Sequence, residues 1–284
     1  MGFTKGIRIA LWLFIFTSGA FAAEELDLSL FNVEKLNDNL YVISQDYGNS
    51  KINFAVVIGE HDAALITAMM RDYSSHVQAL LKGITEKKIE YVFALDGDYY
   101  QYNGSRLFVE NGATLVAREN LIPNAFANSI FISKERAFNL KSDVITAIPT
   151  KAHTEDHMLL KLDKSNVIFA GDAVGFDWIV YSGKNGPRAH IAALKNMLEL
   201  VDDKTKIFPG NWSSKQHGNK NDLVKLIDIY TKFVDQVFAL SQQKFKPEEI
   251  ASDESIHNLL RSLNAYDFQK EYLVHYVKDV LSEK

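Results

Sequence analysis

Short apolar runs rich in β-branched and aromatic residues recur along this chain, each closing on a polar turn, with stretches of helical periodicity between them. Residues 40–44, 53–58 and 63–66 read as strands separated by turns at 48–50 and 59–62. Val77, Leu80, Leu81 and Ile84 then recur at helical spacing, with Gly83 near the end of that helix. Further strands are predicted at 89–94, 113–117, 144–148, 158–162, 166–170 and 206–208, with a short helix from Gly104 and another over about 189–200. A long helix carries Leu223, Leu226, Ile227, Tyr230, Val234 and Val237, and about 246–284 reads as two short helices. Strands and helices mixed in two similar halves predict a layered α/β sandwich in one domain.

The N-terminus sets the expected compartment. Lys5 and Arg8 precede a short apolar run, 9–16, and small residues stand at Ala20 and Ala22. This is the three-part signal-peptide pattern, with cleavage expected after Ala22 and export to the periplasm or beyond the cell. The apolar run is short for a bilayer span, so no stable membrane span is expected after cleavage. The expected organisation is a signal peptide over 1–22 and one domain over 23–284, of which about 246–284 is a helical extension. The mature chain then has 284 − 22 = 262 residues, enough for a large core without covalent staples. It has no cysteine, which excludes disulfides, thiolate nucleophiles and thiolate metal ligands. A formal charge of −5 argues against nucleic acid as a partner.

The strand ends carry the chemistry. The strand at 89–94 runs into Asp96-Gly-Asp98-Tyr99-Tyr100-Gln101-Tyr102, and later strands end near His153, at Gly171-Asp172 and at Pro209-Gly-Asn211-Trp212. On its own Asp-Gly-Asp reads as a solvated turn. The order of motifs, however, resembles the metallo-β-lactamase-fold superfamily across essentially the whole mature chain. The opening hairpin around Gly48-Asn-Ser, Ala64-Leu-Ile-Thr-Ala68, Asn103-Gly-Ser-Arg-Leu-Phe, Gly112 through Asn120, Ala152-His-Thr-Glu-Asp156, Phe169-Ala-Gly-Asp-Ala-Val174 and Phe208-Pro-Gly-Asn-Trp carry the resemblance. It implies a four-layer αββα sandwich with extra C-terminal helices, and a site at one edge of two sheets.

The same resemblance implies that most metal ligands are gone. Asp96 and Asp98 stand where the family has its first two histidines, Tyr100 where it has aspartate, and Gln101 and Asn211 where it has further histidines. Thr67 replaces a supporting aspartate, while His153 and the bridging Asp172 are kept. A hydrolytic zinc site needs three protein ligands and an open position. A protonated tyrosine and two amides are poor zinc donors. The expectation is a degenerate hydrolase with no cofactor, in a binding or accessory role toward a small molecule or an envelope protein. The alternative is an ester, lactone or amide hydrolase holding one divalent ion (Zn, Mn, Mg or Ca) on Asp96, Asp98, His153 and Asp172. Converging carboxylates repel unless a cation or protons neutralise them.

Aromatics crowd the same motifs. Tyr99, Tyr102, Trp178 and Trp212 either line a pocket for a flat or sugar-like ligand or fill the volume left by the lost ligands. The remaining histidines read as ordinary loop and helix residues. His157, four positions after His153, starts a strand, so the two share no helical face.

Overall fold

A computed structural model of the chain describes residues 26–283, except 49, 120, 122–125, 127 and 212. The expected signal segment and Trp212 lie outside the described residues. Strands β1 (Phe31–Asn37), β2 (Leu40–Tyr47), β3 (Ser50–Ile58), β4 (Ala63–Ile66), β5 (Ile89–Phe93), β6 (Thr114–Arg118) and β7 (Ser129–Ile132) form one sheet in that spatial order. It is antiparallel from β1 to β4 and parallel from β4 to β7. Strands β8 (Arg136–Asn139), β9 (Val144–Pro149), β10 (Met158–Leu162), β11 (Val167–Gly171) and β12 (Lys206–Pro209) form a second sheet, ordered β12-β11-β10-β9-β8, with β11 and β12 parallel.

Successive side chains of a strand point to opposite faces, and the core divides accordingly. Ala55 and Val57 of β3 join Val167 and Phe169 of β11 in the layer between the sheets. Ile52, Phe54 and Val56 face outward onto Val77 and Leu81 of α1 (Ser74–Ile84), and Phe108 belongs to the same layer. Ile168 and Ala170 face the other way, onto α4 (Pro187–Leu198) and α5 (Lys220–Gln242). Helix, sheet, sheet and helix therefore stack as the sequence predicts, in a four-layer α/β sandwich. Two short helical pieces, α2 (Tyr99–Tyr102) and α3 (Ser105–Glu110), follow β5.

The C-terminal stretch departs from the two expected helices. It folds as α6 (Pro247–Ala251), α7 (Glu254–Leu260), α8 (Tyr266–Gln269) and α9 (Leu273–Ser282). Pro247 opens α6, and Asp253 starts a new helix by accepting from the Ser255 N–H, so the apolar periodicity is cut into short pieces. Ile250, Ile256, Leu260, Leu273, Val277 and Val280 are buried in the same core layer as α4 and α5. No helix among the described residues is long and apolar enough to cross a membrane.

Candidate functional site

Backbone hydrogen bonds draw the ends of β4, β5, β10, β11 and β12 to one edge of the sandwich, beside β3. The Met158 N–H donates to Leu95 O, Gly210 to Gly171 O, Asn53 to Gly210 O, and Thr67 to Phe93 O. The site residues stand on the loops so gathered. Gly171, at φ +53°, turns the chain sharply enough to aim Asp172 inward; a methyl there would crowd His157 and Leu95. Gly210 leaves room of another kind, because a methyl would overlap Nε2 of Gln101 and Oδ1 of Asp172.

Asp172 is fully buried, and both its oxygens receive donors from the Asp96–Gln101 loop. The Tyr100 hydroxyl donates to Oδ2 at 2.6 Å, and the Gln101 amide donates to Oδ1 at 3.2 Å. Burial, then the charges of Asp172 and Asp98, push the Tyr100 hydroxyl far above its ordinary range, so it stays protonated and keeps its role as a donor. Asn211 accepts from the Ser50 hydroxyl at 2.6 Å and also reaches the Tyr100 hydroxyl. Burial and the charge of Asp96 raise the Asp172 carboxyl to about 8, against the opposing effects of His153 and Tyr100.

His153 has an acceptor at each end of its ring. Nδ1 lies 2.7 Å from the Tyr181 carbonyl and Nε2 lies 3.0 Å from Oδ2 of Asp98. A carbonyl and a carboxylate only accept, so the arrangement is satisfied by the doubly protonated ring. Burial pulls the ring toward neutrality. The hydrogen bond to Asp98 and the charges of Asp172, Asp96 and Asp98 outweigh it and raise the pKa to about 10. Burial likewise opposes ionisation of Asp98, yet the His153 contact and the Tyr100 hydroxyl hold its carboxyl below the usual range. The side chain of Asp98 is 35% exposed, against 12% for His153, so the carboxylate is the open part of the site.

Of the four residues singled out as metal ligands, three converge. One ligand atom from each of Asp98, His153 and Asp172 lies within 4.8 Å of the others. Asp96 is turned elsewhere. Its Oδ1 accepts from the Asp98 N–H at 3.0 Å, and its Oδ2 lies 3.3 Å from Nδ1 of His157, both side chains being fully buried. His157 in turn donates from Nε2 to Ala170 O at 2.9 Å. Sequence reasoning passed over His157, because nothing in its spacing marks a partner 61 positions upstream.

The aromatics separate. Tyr99 is 48% exposed, stacks edge-on against Tyr100 and hydrogen-bonds Tyr47. Tyr102 is partly buried beside Leu121. Trp178 is buried in the core against Tyr276 and Tyr266, so it fills volume under the C-terminal helices and lines no mouth. Tyr47 and Tyr181 are both about half exposed, and no motif announced either. Thr67 holds φ +54°, which is rare for a β-branched residue. Its hydroxyl donates to Asn53 O, and its neighbour Ala68 donates from N–H to Gln101 O.

No protein-family model matches the chain, and no curated protein matches it. Solved structures do. A metallo-β-lactamase from Pontibacter korlensis superposes with a TM-score of 0.59 at 13% identity, over 70% of this chain and 99% of that one. The metallo-β-lactamase IND-7 gives 0.59 at 15% identity, over 70% and 98%. The chain has the metallo-β-lactamase fold. A related architecture is the stereoselective inverting sec-alkylsulfatase Pisa1 from Pseudomonas sp., with a TM-score of 0.63 at 13% identity; 78% of this chain matches 45% of that one. Within the metallo-β-lactamase fold, the converging Asp98, His153 and Asp172 mark a candidate Asp-His-Asp site.

Proposed function

We propose that this chain is an exported metallo-β-lactamase-fold protein that works without a dinuclear zinc centre, in a binding or accessory role at the cell envelope. The observation that carries the reading is the Tyr100 hydroxyl 2.6 Å from Asp172 Oδ2. A group standing where the fold family has a metal ligand donates a proton toward the one carboxylate that would bridge two ions. The rest of the donor set fits two zinc ions no better. Gln101 and Asn211 are amides, Asp96 is turned toward His157, and both nitrogens of His153 face acceptors. Zinc sites draw on imidazole, thiolate and carboxylate ligands with one open position for hydrolysis.

Tyr47, Tyr99 and Tyr181 are each about half exposed, Tyr99 hydrogen-bonds Tyr47, and Asp98 beside Tyr99 is partly exposed; exposed aromatic rings with a polar tip favour a small organic ligand. Equilibrium binding of a small-molecule panel, with Tyr99→Ala and Tyr181→Ala as controls, tests this. Ligand-induced stabilisation lost in both variants supports a binding role, and steady turnover abolished by Asp98→Asn supports an enzyme instead. Mass spectrometry of the exported protein tests the leader, with a mature chain beginning at Ala23 expected.

A second reading rests on two specific observations. Asp98, His153 and Asp172 converge to within 4.8 Å, and Oε1 of buried Gln101 has no hydrogen-bond partner among the described residues. Two carboxylates and an imidazole suit a single divalent cation, and a free amide oxygen is a donor of the kind the harder ions take. Such an ion would supply Lewis acidity for hydrolysis of an ester, lactone or amide. Dialysis against chelator followed by reloading with zinc, manganese, magnesium or calcium distinguishes the two, since only this reading predicts a saturable gain of stability.

A further inference from the structure

The stretch between Asp172 and α4 is tied at several points to the C-terminal helices. Asn264 donates from its side-chain amide to Asp177 Oδ1 at 2.8 Å, and the Ala265 N–H donates to Asp177 O at 3.1 Å. Further along, the Ser182 N–H donates to Oδ2 of Asp279 at 3.0 Å, in the middle of α9. Tyr230 of α5 donates from its hydroxyl to Val180 O at 3.0 Å and also contacts the Ser182 hydroxyl. These ties bracket one residue, Tyr181, whose side chain is exposed while its carbonyl accepts from Nδ1 of His153 at 2.7 Å.

Asp279 is an unusual choice for this place. It is a carboxylate only 7% exposed in α9, off the stripe that buries Leu273, Val277 and Val280, since positions one and two apart do not share a helix face. Burying a carboxylate is costly unless hydrogen bonds compensate, and Asp279 is compensated at Ser182, next to Tyr181, by the backbone N–H and the hydroxyl. We propose that Asp279 is a positioning residue for the site. It fixes the backbone at Ser182, which fixes the Tyr181 carbonyl, which sets the tilt of the His153 ring toward Asp98. The C-terminal helices are on this account part of the site's supporting structure, reaching across 97 residues of chain. Outer partners of this kind orient the groups they hold.

The Nδ1–H bond to Tyr181 exists whether Nε2 faces Asp98 or an ion, so this inference stands or falls separately from the choice between those readings. The test is hydrogen exchange of histidine ring N–H protons in the ¹⁵N-labelled full chain, with His153 assigned from the His153→Gln spectrum. Asp279→Ala is expected to speed exchange of the His153 Nδ1–H at least about tenfold through local opening. It should leave the His190 Nε2–H, which donates to Ala173 O, at its original rate. Asp279→Asn retains an acceptor and should behave as the parent. Asp279→Leu removes the same acceptor while keeping similar volume and leaving no buried charge, and should act in the same direction; it decides the matter if Asp279→Ala does not fold. An unchanged His153 rate overturns the inference, as does an equal acceleration at His153 and His190, which would mean general loosening.

Discussion

Tyr100 and Asp172 lie 72 residues apart in sequence, and the hydroxyl of the first sits 2.6 Å from Oδ2 of the second. This bond closes the Asp96–Gln101 loop onto the end of β11. Tyr100→Phe removes the donor and leaves a buried carboxylate short of one partner. Unmet hydrogen bonding in a buried group costs about 1–3 kcal/mol, so urea unfolding of Tyr100→Phe is expected to show a loss in that range. A change of only a few tenths would mean that Asp172 does not depend on Tyr100.

Gly210 keeps the same contact open from the opposite loop. A single methyl there meets both the Gln101 amide and Asp172. Overfilling a packed interior costs about 1–3 kcal/mol. Gly210→Ala is therefore expected to lower the melting temperature clearly, and Gly210→Ala combined with Gln101→Ala to recover part of the loss. Purely additive losses would show that the two residues do not meet.

Far from the site, Asp143 ties two turns together. It is 1% exposed and accepts from the Val144, Lys164 and Ser165 N–H groups and from the Ser165 hydroxyl, at 2.6–3.0 Å. Asp143→Ala strands those donors and should cost about 3 kcal/mol or more. Asp143→Asn, which keeps one acceptor oxygen, should cost less. Equilibrium unfolding ranks the two.

His190 gives the protein an acid limb. Burial, partly offset by the hydrogen bond to Ala173 O, lowers its pKa from 6.5 to about 3. The unfolded chain then takes up a proton that the folded chain refuses between those values. Stability contributed by the neutral ring is complete above about pH 6.5 and is lost as pH falls toward 3, at about 1.4 kcal/mol per unit of pH. Unfolding free energy measured from pH 7 to pH 4 should fall less steeply in His190→Gln than in the parent. Parallel curves would remove His190 as the source.

The fold was legible wherever burial repeated with a clear period. Strands β4 and β10 fall on the residues their apolar runs indicate, and α5 follows its row of Leu223, Leu226, Ile227, Tyr230, Val234 and Val237. Strand β1 escaped notice because it is an edge strand in which only Phe31 is buried, so alternation carries little signal. Strands β7 and β8 each bury a single residue, Ile132 and Phe138, too little for an apolar run or alternation to stand out. At the site, the motif order singled out Asp98, His153 and Asp172, which meet. The pairing of Asp96 with His157, the Tyr181 carbonyl and the Asp279 anchor depend on side-chain direction and on loops brought together from distant parts of the chain. No local pattern encodes those.

We propose that hydrogen bonds among Tyr100, Gln101, Asp98, His153 and Asp172 complete this site without a pair of zinc ions. The measurement that tests it most directly is metal content of the purified mature protein, joined to thermal unfolding with and without chelator. No stoichiometric zinc and the same melting temperature in both conditions are expected. Two tightly held zinc ions per chain, with a melting temperature that drops on chelation, would contradict it.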